Sequence, residues 1–267
     1  MFFLKKYLLI GFLLTGVLLW SQESNPTTVR VLSFNILHGA NTDGSFDLDR
    51  IAAVIKKADA DFVALQEVDF KTKRAKGYDL PTELGFRTKM TSLFARAMPY
   101  DGGEYGEAVL STYSFISSRN TALPYTNGNE PRAALEVTAV LKSGDTISFI
   151  GTHLDHLKTD TDRVSQAKAL NSIFKNNRYP TILAGDLNDE PKSNAISILE
   201  NYWKAAYHTE SSLKLTYPSE KPIKKIDYIM TDPNSGWKVI STETICDTIA
   251  SDHCGYLVVL ALNPKKK

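Results

Sequence analysis

Ile182-Leu183-Ala184-Gly185-Asp186-Leu187-Asn188 is a short apolar run that stops abruptly in Gly-Asp-Leu-Asn. Its aliphatic residues read as a buried strand, with the polar pair at the C-terminal rim. Strand side chains alternate, so Asp186 and Asn188 are expected on one face and Leu187 on the other. A carboxylate that can hold a metal or a water would then lie beside a neutral donor that can hold an oxyanion. Asp and Asn at strand ends also simply close turns, and this motif alone does not separate the two readings.

The rest of the chain repeats the pattern. Val31–Asn35 ends in Asn35, Phe62–Glu67 in Glu67 and Ile147–His153 in His153, and near the C-terminus come Ile226-Asp227-Tyr228-Ile229 and Ser251-Asp252-His253. Each junction could be structural by itself. Polar groups at so many separate strand ends point instead to a site built on a rigid scaffold.

The ordered set S-F-N, L-Q-E, T-H-L-D-H, G-D-L-N, I-D-Y-I and S-D-H resembles the endonuclease/exonuclease/phosphatase family over about Val29 to Leu260. That family includes pancreatic-type deoxyribonuclease, apurinic endonucleases, neutral sphingomyelinases and inositol polyphosphate 5-phosphatases. The resemblance implies an α/β fold, a four-layer α/β/β/α sandwich of two packed mixed sheets with the site at one end. It is specific for fold and reaction type and silent on substrate.

Composition agrees with a single large domain. Of 267 residues, 43% are hydrophobic and 23% charged, enough for a substantial core without a linker or repeat to divide it. Lys5 and Lys6 precede an apolar stretch from Tyr7 to Trp20 and a polar exit. Residues 1–21 therefore read as a secretory signal, with an uncleaved outward-facing anchor as the alternative because Leu19 spoils the cleavage site. Residues 22–267 then form the catalytic domain, in the periplasm or secreted. Without Lys5 and Lys6 the chain carries 29 basic against 30 acidic residues, a balance that does not advertise a polyanion-binding surface. Cys246 and Cys254 bracket the Asp252-His253 loop. They are expected as free structural thiols, with a bridge as the alternative that an oxidising compartment permits.

A coarse pass places a helix over 47–57, its apolar residues at 48, 51, 52, 54 and 55 facing inward and Asp47 or Ser45 capping it. A second helix over 161–177 turns Val164, Ala167, Leu170, Ile173 and Phe174 inward. Residues 86–96, 106–119 and 133–151 read as strands, with Ser143-Gly144-Asp145 a hairpin turn. Loops are expected at 71–79, 97–106 and 208–224.

Hydrolysing a phosphoester needs charge neutralisation at phosphorus, an activated in-line water and help for the leaving oxygen. Glu67 offers a hard oxygen suited to Mg²⁺, or Mn²⁺ as a substitute, with Asn35 orienting metal or phosphate and Asp252 as a second ligand. Asp227 and His253 form a dyad that fixes the imidazole tautomer, unless Asp227 pairs structurally with Lys224 or Lys225. Either His253 or Asp186 removes the proton from water. Asn188 binds a phosphate oxygen, and His153 is a phosphate ligand or general acid. Arg132 clamps phosphate, a role the resemblance supports, or makes a surface ion pair. Asp155 and His156 support the rim, and His38 and His208 read as loop residues.

Serine-hydrolase and Walker motifs are absent, and the five histidines and two cysteines show no zinc spacing. The expectation is an exported, monomeric, Mg²⁺-dependent phosphoester hydrolase preferring a small or headgroup-sized substrate. A nuclease and a non-catalytic phosphate- or partner-binding module are the alternatives. Lipid contact is expected only through the N-terminal segment or a lipid substrate.

Overall fold

A computed structural model of the protein describes residues 26–207 and 213–263, so the expected N-terminal signal, His208 and the Lys265–Lys267 tail lie outside the described residues. In chain order the elements are β1 (Thr27–Asn35), α1 (Leu48–Ala58), β2 (Phe62–Phe70), α2 (Leu80–Thr88), β3 (Thr91–Tyr100), β4 (Gly103–Ser111), β5 (Phe115–Ala122) and β6 (Ala133–Val140). They continue with β7 (Thr146–His153), α3 (Thr161–Phe174), β8 (Thr181–Asp186), α4 (Asn194–Glu200), β9 (Lys204–Ala205), β10 (Asp227–Thr231), β11 (Trp237–Ile245) and β12 (Gly255–Leu262).

Two six-stranded sheets result, in the orders β11-β12-β1-β2-β4-β3 and β5-β6-β7-β8-β10-β9. Each contains one parallel pair, β1 with β2 and β7 with β8. Parallel neighbours require a crossover, and α1 and α3 supply it. The two helices cover the outer faces, which gives the four-layer sandwich of two packed mixed sheets.

Three apolar cores fill the three gaps between layers. Leu32, Phe34, Val63 and Leu65 pack outward with Ile51, Val54 and Ile55 of α1. Val29, Val31, Phe62, Ala64, Phe149, Ile182, Ala184 and Ile229 meet between the sheets. Ile150, Leu183 and Leu187 pack with Ala167, Leu170 and Phe174 of α3. Burying each such aliphatic or aromatic side chain contributes about 1.5–3 kcal/mol. The period of two then fixes the site. Continuing the between-sheet positions along each strand leads to Asn35, His153, Asp186 and Asp227, all at one end of the sandwich.

Several local expectations change. The helix over 47–57 is α1, and Asp47, not Ser45, caps it by accepting from the backbone N–H groups of Asp49 and Arg50. Residues 86–96 do not form one strand. Asp79 caps α2 and Pro81 lies in its first turn, so the chain is helical to Thr88 before β3 begins. The stretch 97–106 is not a surface loop but the end of β3 and start of β4, joined through Asp101-Gly102. α3 ends at Phe174, and Val164 and Ile173 are only half-buried, while Asp162, Arg163 and Gln166 are buried. Those polar groups hold neighbouring loops: Gln166 Oε1 accepts from the Asp155 N–H at 2.9 Å, and Arg163 Nη1 donates to the Leu157 carbonyl at 2.7 Å.

Cys246 and Cys254 are disulfide-bonded, not free thiols. They face each other where β11 and β12 part, and so close the loop carrying Asp252 and His253.

Gly185 marks the tightest approach in the site strand. A Cβ there would lie 2.1 Å from the Thr152 carbonyl oxygen across the parallel β7–β8 pair. Gly185→Ala is therefore expected to lower stability by roughly 3 kcal/mol, the upper part of the overpacking range. Urea unfolding in the presence of chelator reads this directly, and an unchanged midpoint would contradict it.

Candidate active site

The strand ends converge on a cleft of about 490 Å³ lined by Glu67, Arg132, His153, Asp186, Asn188, Asp252 and His253 together with His38, His156 and Tyr217. At its centre is the Asp186 carboxylate. Oδ2 accepts from Asn35 Nδ2 at 3.2 Å and lies 3.6 Å from Nε2 of both His153 and His253. Oδ1 accepts from the Asn188 backbone N–H at 2.9 Å. That last bond closes a tight turn in which Asn188 takes φ +51°. The turn folds Asn188 back over the strand end that carries Asp186.

Glu67 reaches the cleft by a different route. In β2 the pairs Leu65–Ala108 and Val68–Gly106 leave both Gln66 and Glu67 opposite Glu107. This β-bulge puts Glu67 at φ +54°. A non-glycine residue there costs on the order of 1–2 kcal/mol, and the reward is a second carboxylate at the rim. Asn35 Nδ2 donates to Glu67 Oε1 at 3.1 Å, and His38 Nδ1 lies 3.4 Å from Oε2. Burial works to raise the Glu67 carboxyl, but the His38 hydrogen bond, the neighbouring His153 imidazole and the Asn35 amide outweigh it and hold it down to about 2. His38, read from sequence as a loop residue, thus belongs to the site. Its one signal was its position three residues beyond Asn35.

The dyad is present. His253 Nδ1 lies 3.0 Å from Asp227 Oδ2, and the Tyr217 ring covers the imidazole at 4.8 Å between centroids. Burial disfavours the imidazolium, yet Asp227 and then Asp186 outweigh it and raise His253 to about 10. Burial pushes the Asp186 carboxyl up; His253 pulls it back and Asp227 adds to the rise. The alternative pairing of Asp227 with a lysine does not occur. Lys224 is exposed, and Lys225 is fully buried with its Nζ 3.0 Å from the centroid of the Tyr256 ring. Burial pushes the Lys225 amine well down.

Arg132 is not a surface residue. It is 2% exposed, with Nη1 2.9 Å from Glu130 Oε1 and 3.0 Å from His153 Nδ1, and Nη2 3.1 Å from His156 Nδ1. Burial and then the Arg132 charge hold His153 well below its usual range. On its other edge, His153 Nε2 lies 2.9 Å from Asn188 Nδ2, which also donates to the Leu154 carbonyl at 3.0 Å. The ring is therefore flanked by two side chains that present donors. An acceptor oxygen placed between Nε2 and the Asn188 amide would satisfy both, which is the geometry an anion oxygen requires.

Asp252 is half-buried at the cleft mouth, its carbonyl accepting from the Ser219 N–H at 2.7 Å. With Glu67, Asn35 and Asp186 it forms a wall of hard oxygen ligands. A second cluster, Asp186, Asp227 and His253, presents ligand atoms within 4.8 Å of one another, and Asp227 Oδ1 there is buried without a hydrogen-bond partner. Excess buried acid and an ionised Glu67 fit a hard divalent cation.

The match to the endonuclease/exonuclease/phosphatase family model runs over residues 32–253, from β1 through the Asp252-His253 loop. The chain belongs to this family. Its members are hydrolases acting on phosphoester bonds. The fold is similar to that of an endonuclease/exonuclease/phosphatase from Beutenbergia cavernae, at TM-score 0.71 and 23% identity, over 90% of this chain and 73% of that one. A Bacteroides thetaiotaomicron family protein matches at TM-score 0.72 and 19% identity, over 90% and 99%. A mannosyl-6-phosphatase from the same organism matches at 0.68 and 18%, over 87% and 99%. At these identities the likeness concerns the fold.

Glu107 was not singled out by the sequence. It faces the bulge, is fully buried, and neither carboxyl oxygen has a hydrogen-bond partner among the described residues. Burial raises its pKa well above the usual value of 4.5, with Arg132 opposing. Glu107 is thus protonated when folded but ionises near pH 4.5 when unfolded. Below that pH the two states hold the same proton. Above it, unfolding releases the proton, so stability falls as pH rises toward the folded value, by up to about 1.4 kcal/mol per pH unit. Glu107→Gln removes this dependence. Urea unfolding of both proteins in chelator from pH 4 to 8 is expected to show a gap that moves in favour of the Gln variant as pH rises. A pH-independent gap would refute the assignment.

Proposed function

We propose that the protein is an exported, Mg²⁺-dependent phosphoester hydrolase acting on a small or headgroup-sized substrate. The observation that carries this reading is the convergence on Asp186 Oδ2 of Asn35, His153 and His253, with Glu67 beside it through the shared Asn35 amide. Glu67, Asn35 and Asp252 would hold the cation, with Mn²⁺ as a substitute. When bound, it neutralises charge on the phosphoryl group.

The chain's own groups supply the remaining work. Asp227 Oδ2 accepts a hydrogen bond from His253 Nδ1–H and leaves Nε2 directed at the cleft. Raised to about 10, His253 already carries its second proton near neutral pH and acts as a donor to a phosphoryl oxygen. Asp186 is then the acceptor for the proton of the attacking water. Burial has lifted its carboxyl toward the range in which a base works at neutral pH. Asn188 and His153 Nε2 hold another phosphoryl oxygen. Arg132 acts through His153 and His156 rather than as a direct clamp.

A small substrate is supported by the cleft of about 490 Å³ and by the near-balance of basic and acidic residues. The B. thetaiotaomicron fold neighbour described as a mannosyl-6-phosphatase is consistent with it. Export is supported by the Lys5-Lys6 and apolar N-terminal pattern and by the Cys246–Cys254 disulfide, which belongs in an oxidising compartment. N-terminal sequencing of the native protein is expected to begin near Gln22, and an intact Met1 would defeat cleavage.

Glu67→Gln should lose most turnover, with partial rescue by excess Mg²⁺. Asp186→Asn should lower kcat by about 10²–10⁴-fold, as removal of a general base does. Wild-type rates in chelator would overturn the metal dependence. A panel of plasmid DNA, sphingomyelin, inositol phosphates and sugar phosphates at two ionic strengths is expected to favour a small ester with shallow salt dependence. Fast DNA cleavage collapsing at physiological salt, with a slope near −0.9 per neutralised phosphate, would replace this reading with a nuclease.

A further inference from the structure

Arg132 touches two histidines, and its chemistry dictates their protonation. A guanidinium has five N–H donors and no acceptor, and it does not lose its proton in proteins. Nη1 lies 3.0 Å from His153 Nδ1 and Nη2 lies 3.1 Å from His156 Nδ1. Each contact is a hydrogen bond only if the imidazole nitrogen is the acceptor. Both Nδ1 atoms are therefore unprotonated. On His156 that leaves the ring proton on Nε2, whereas the Nε2 edge of His153 faces a second nitrogen donor, the Asn188 amide at 2.9 Å, and its tautomer does not follow from these contacts.

The two rings differ in what lies beyond Nε2. His153 is buried and points at Asp186 and Asn188. His156 is exposed, lines the same cleft, and its Nε2 has no hydrogen-bond partner among the described residues. The loop that carries it is fastened on both sides: the Asp155 N–H donates to Gln166 Oε1 at 2.9 Å, the Leu157 N–H donates to Asp155 Oδ2 at 3.0 Å, and Arg163 Nη1 donates to the carbonyls of Asp155 and Leu157. Glu130 sits on the Nη1 side of the guanidinium, at 2.9 Å. The Nη2 side meets His156, which lines the cleft.

We propose that Arg132 is a positioning residue that locks His156 as its Nε2–H tautomer, and that His156 Nε2–H is a second donor to an anionic oxygen of the bound phosphate. This deepens the phosphoesterase reading and rests on it for the identity of the ligand. A donor polarised by an adjacent cation is worth more to an anion than a neutral one. Loss of such a bond to a charged group weakens binding by roughly tenfold or more.

The test uses the full-length mature protein with ¹⁵N-labelled histidine, without metal, and inorganic phosphate as the probe. Two-bond ¹H–¹⁵N correlations distinguish the tautomers directly, and His156→Ala assigns its own signals. In the wild type His156 is expected as Nε2–H, and phosphate addition is expected to shift its Nε2 resonance. His156→Ala should weaken phosphate binding about tenfold and raise KM with little change in kcat. His156→Gln, whose amide reaches the Nε2 position, should restore most of the affinity. A proton on Nδ1 of His156 in the wild type would overturn the proposal without any variant, as would unchanged phosphate affinity in His156→Ala. Arg132→Met is expected to release His156 into a tautomer mixture. Should that variant not fold, the wild-type spectrum still decides. If no ester is hydrolysed while tautomers and phosphate binding are as expected, the hydrolase reading fails and the anion site stands.

Discussion

The Asp186 carboxylate, 1% exposed between two sheets, is the charge that the rest of the site exists to compensate. An isolated buried carboxylate costs several kcal/mol. Here it receives the Asn35 amide and the Asn188 N–H, and two imidazoles approach it at 3.6 Å. Even so, acid outweighs base within the cluster. Glu67, Glu107, Glu130, Asp186, Asp227 and Asp252 face Arg132, Lys224 and the histidines of the cleft, while Arg74 on its wall is paired with Asp69. Burial keeps one of these carboxyls, Glu107, protonated. The remaining excess is what makes a divalent cation a natural occupant, and removal of charge by Glu67→Gln a change in affinity before it is a change in fold.

The scaffold meets this cost by dividing labour between two faces of each strand. Outward residues of β1 and β8 such as Phe34 and Leu183 pack under helices, and inward residues such as Val31 and Ile182 pack between sheets. Apolar packing on both faces holds the strands rigidly, and the inward residues turn polar only toward the rim, at Ser33 and Asn35 on β1, His153 on β7 and Asp186 on β8. Parallel crossovers at β1–β2 and β7–β8 bring the C-terminal ends of those four strands to the same rim, where loops carry function. Strain is admitted at non-glycine positions of that rim, Glu67 at φ +54°, Asn188 at φ +51° and His38 at φ +45° among them. Such conformations persist because the surrounding structure over-determines them.

Second-layer groups set the protonation of the first. Asp227 orients His253, Arg132 orients His153 and His156, and His38 keeps Glu67 ionised. Arg132, with only donors, and Asp227, an acceptor, each meet an imidazole at its Nδ1 edge. The loop bearing Asp252 and His253 is likewise held from outside. The Cys246–Cys254 bond closes its base, the Ser251 hydroxyl donates to the Asn35 carbonyl at 2.7 Å, and Arg50 donates to Asp247 at 3.1 Å.

The linear chain determined the elements whose chemistry is local and periodic. Apolar spacing with an Asp cap specifies α1, and strand alternation puts Asp186, Asn35, His153 and Asp227 on inward positions. Motif order carries the fold because six strand-end signatures occur in one sequence of layers. Other features were not legible because they depend on residues distant in sequence. α2 was hidden since Asp79-Leu80-Pro81 signals a helix start while the following apolar residues resemble a strand. The bulge at Gln66-Glu67 exists only against Glu107 on β4, and His38 acquires a role only when that bulge turns Glu67 toward it. Whether Cys246 and Cys254 join depends on the β11–β12 register, which sets them opposite each other. From sequence Arg132 reads as a phosphate clamp or a surface ion pair at a strand start. Packing buried it between Glu130 and two histidines, because only the stacked sheets bring the end of β7 and its loop within reach of its planar fork.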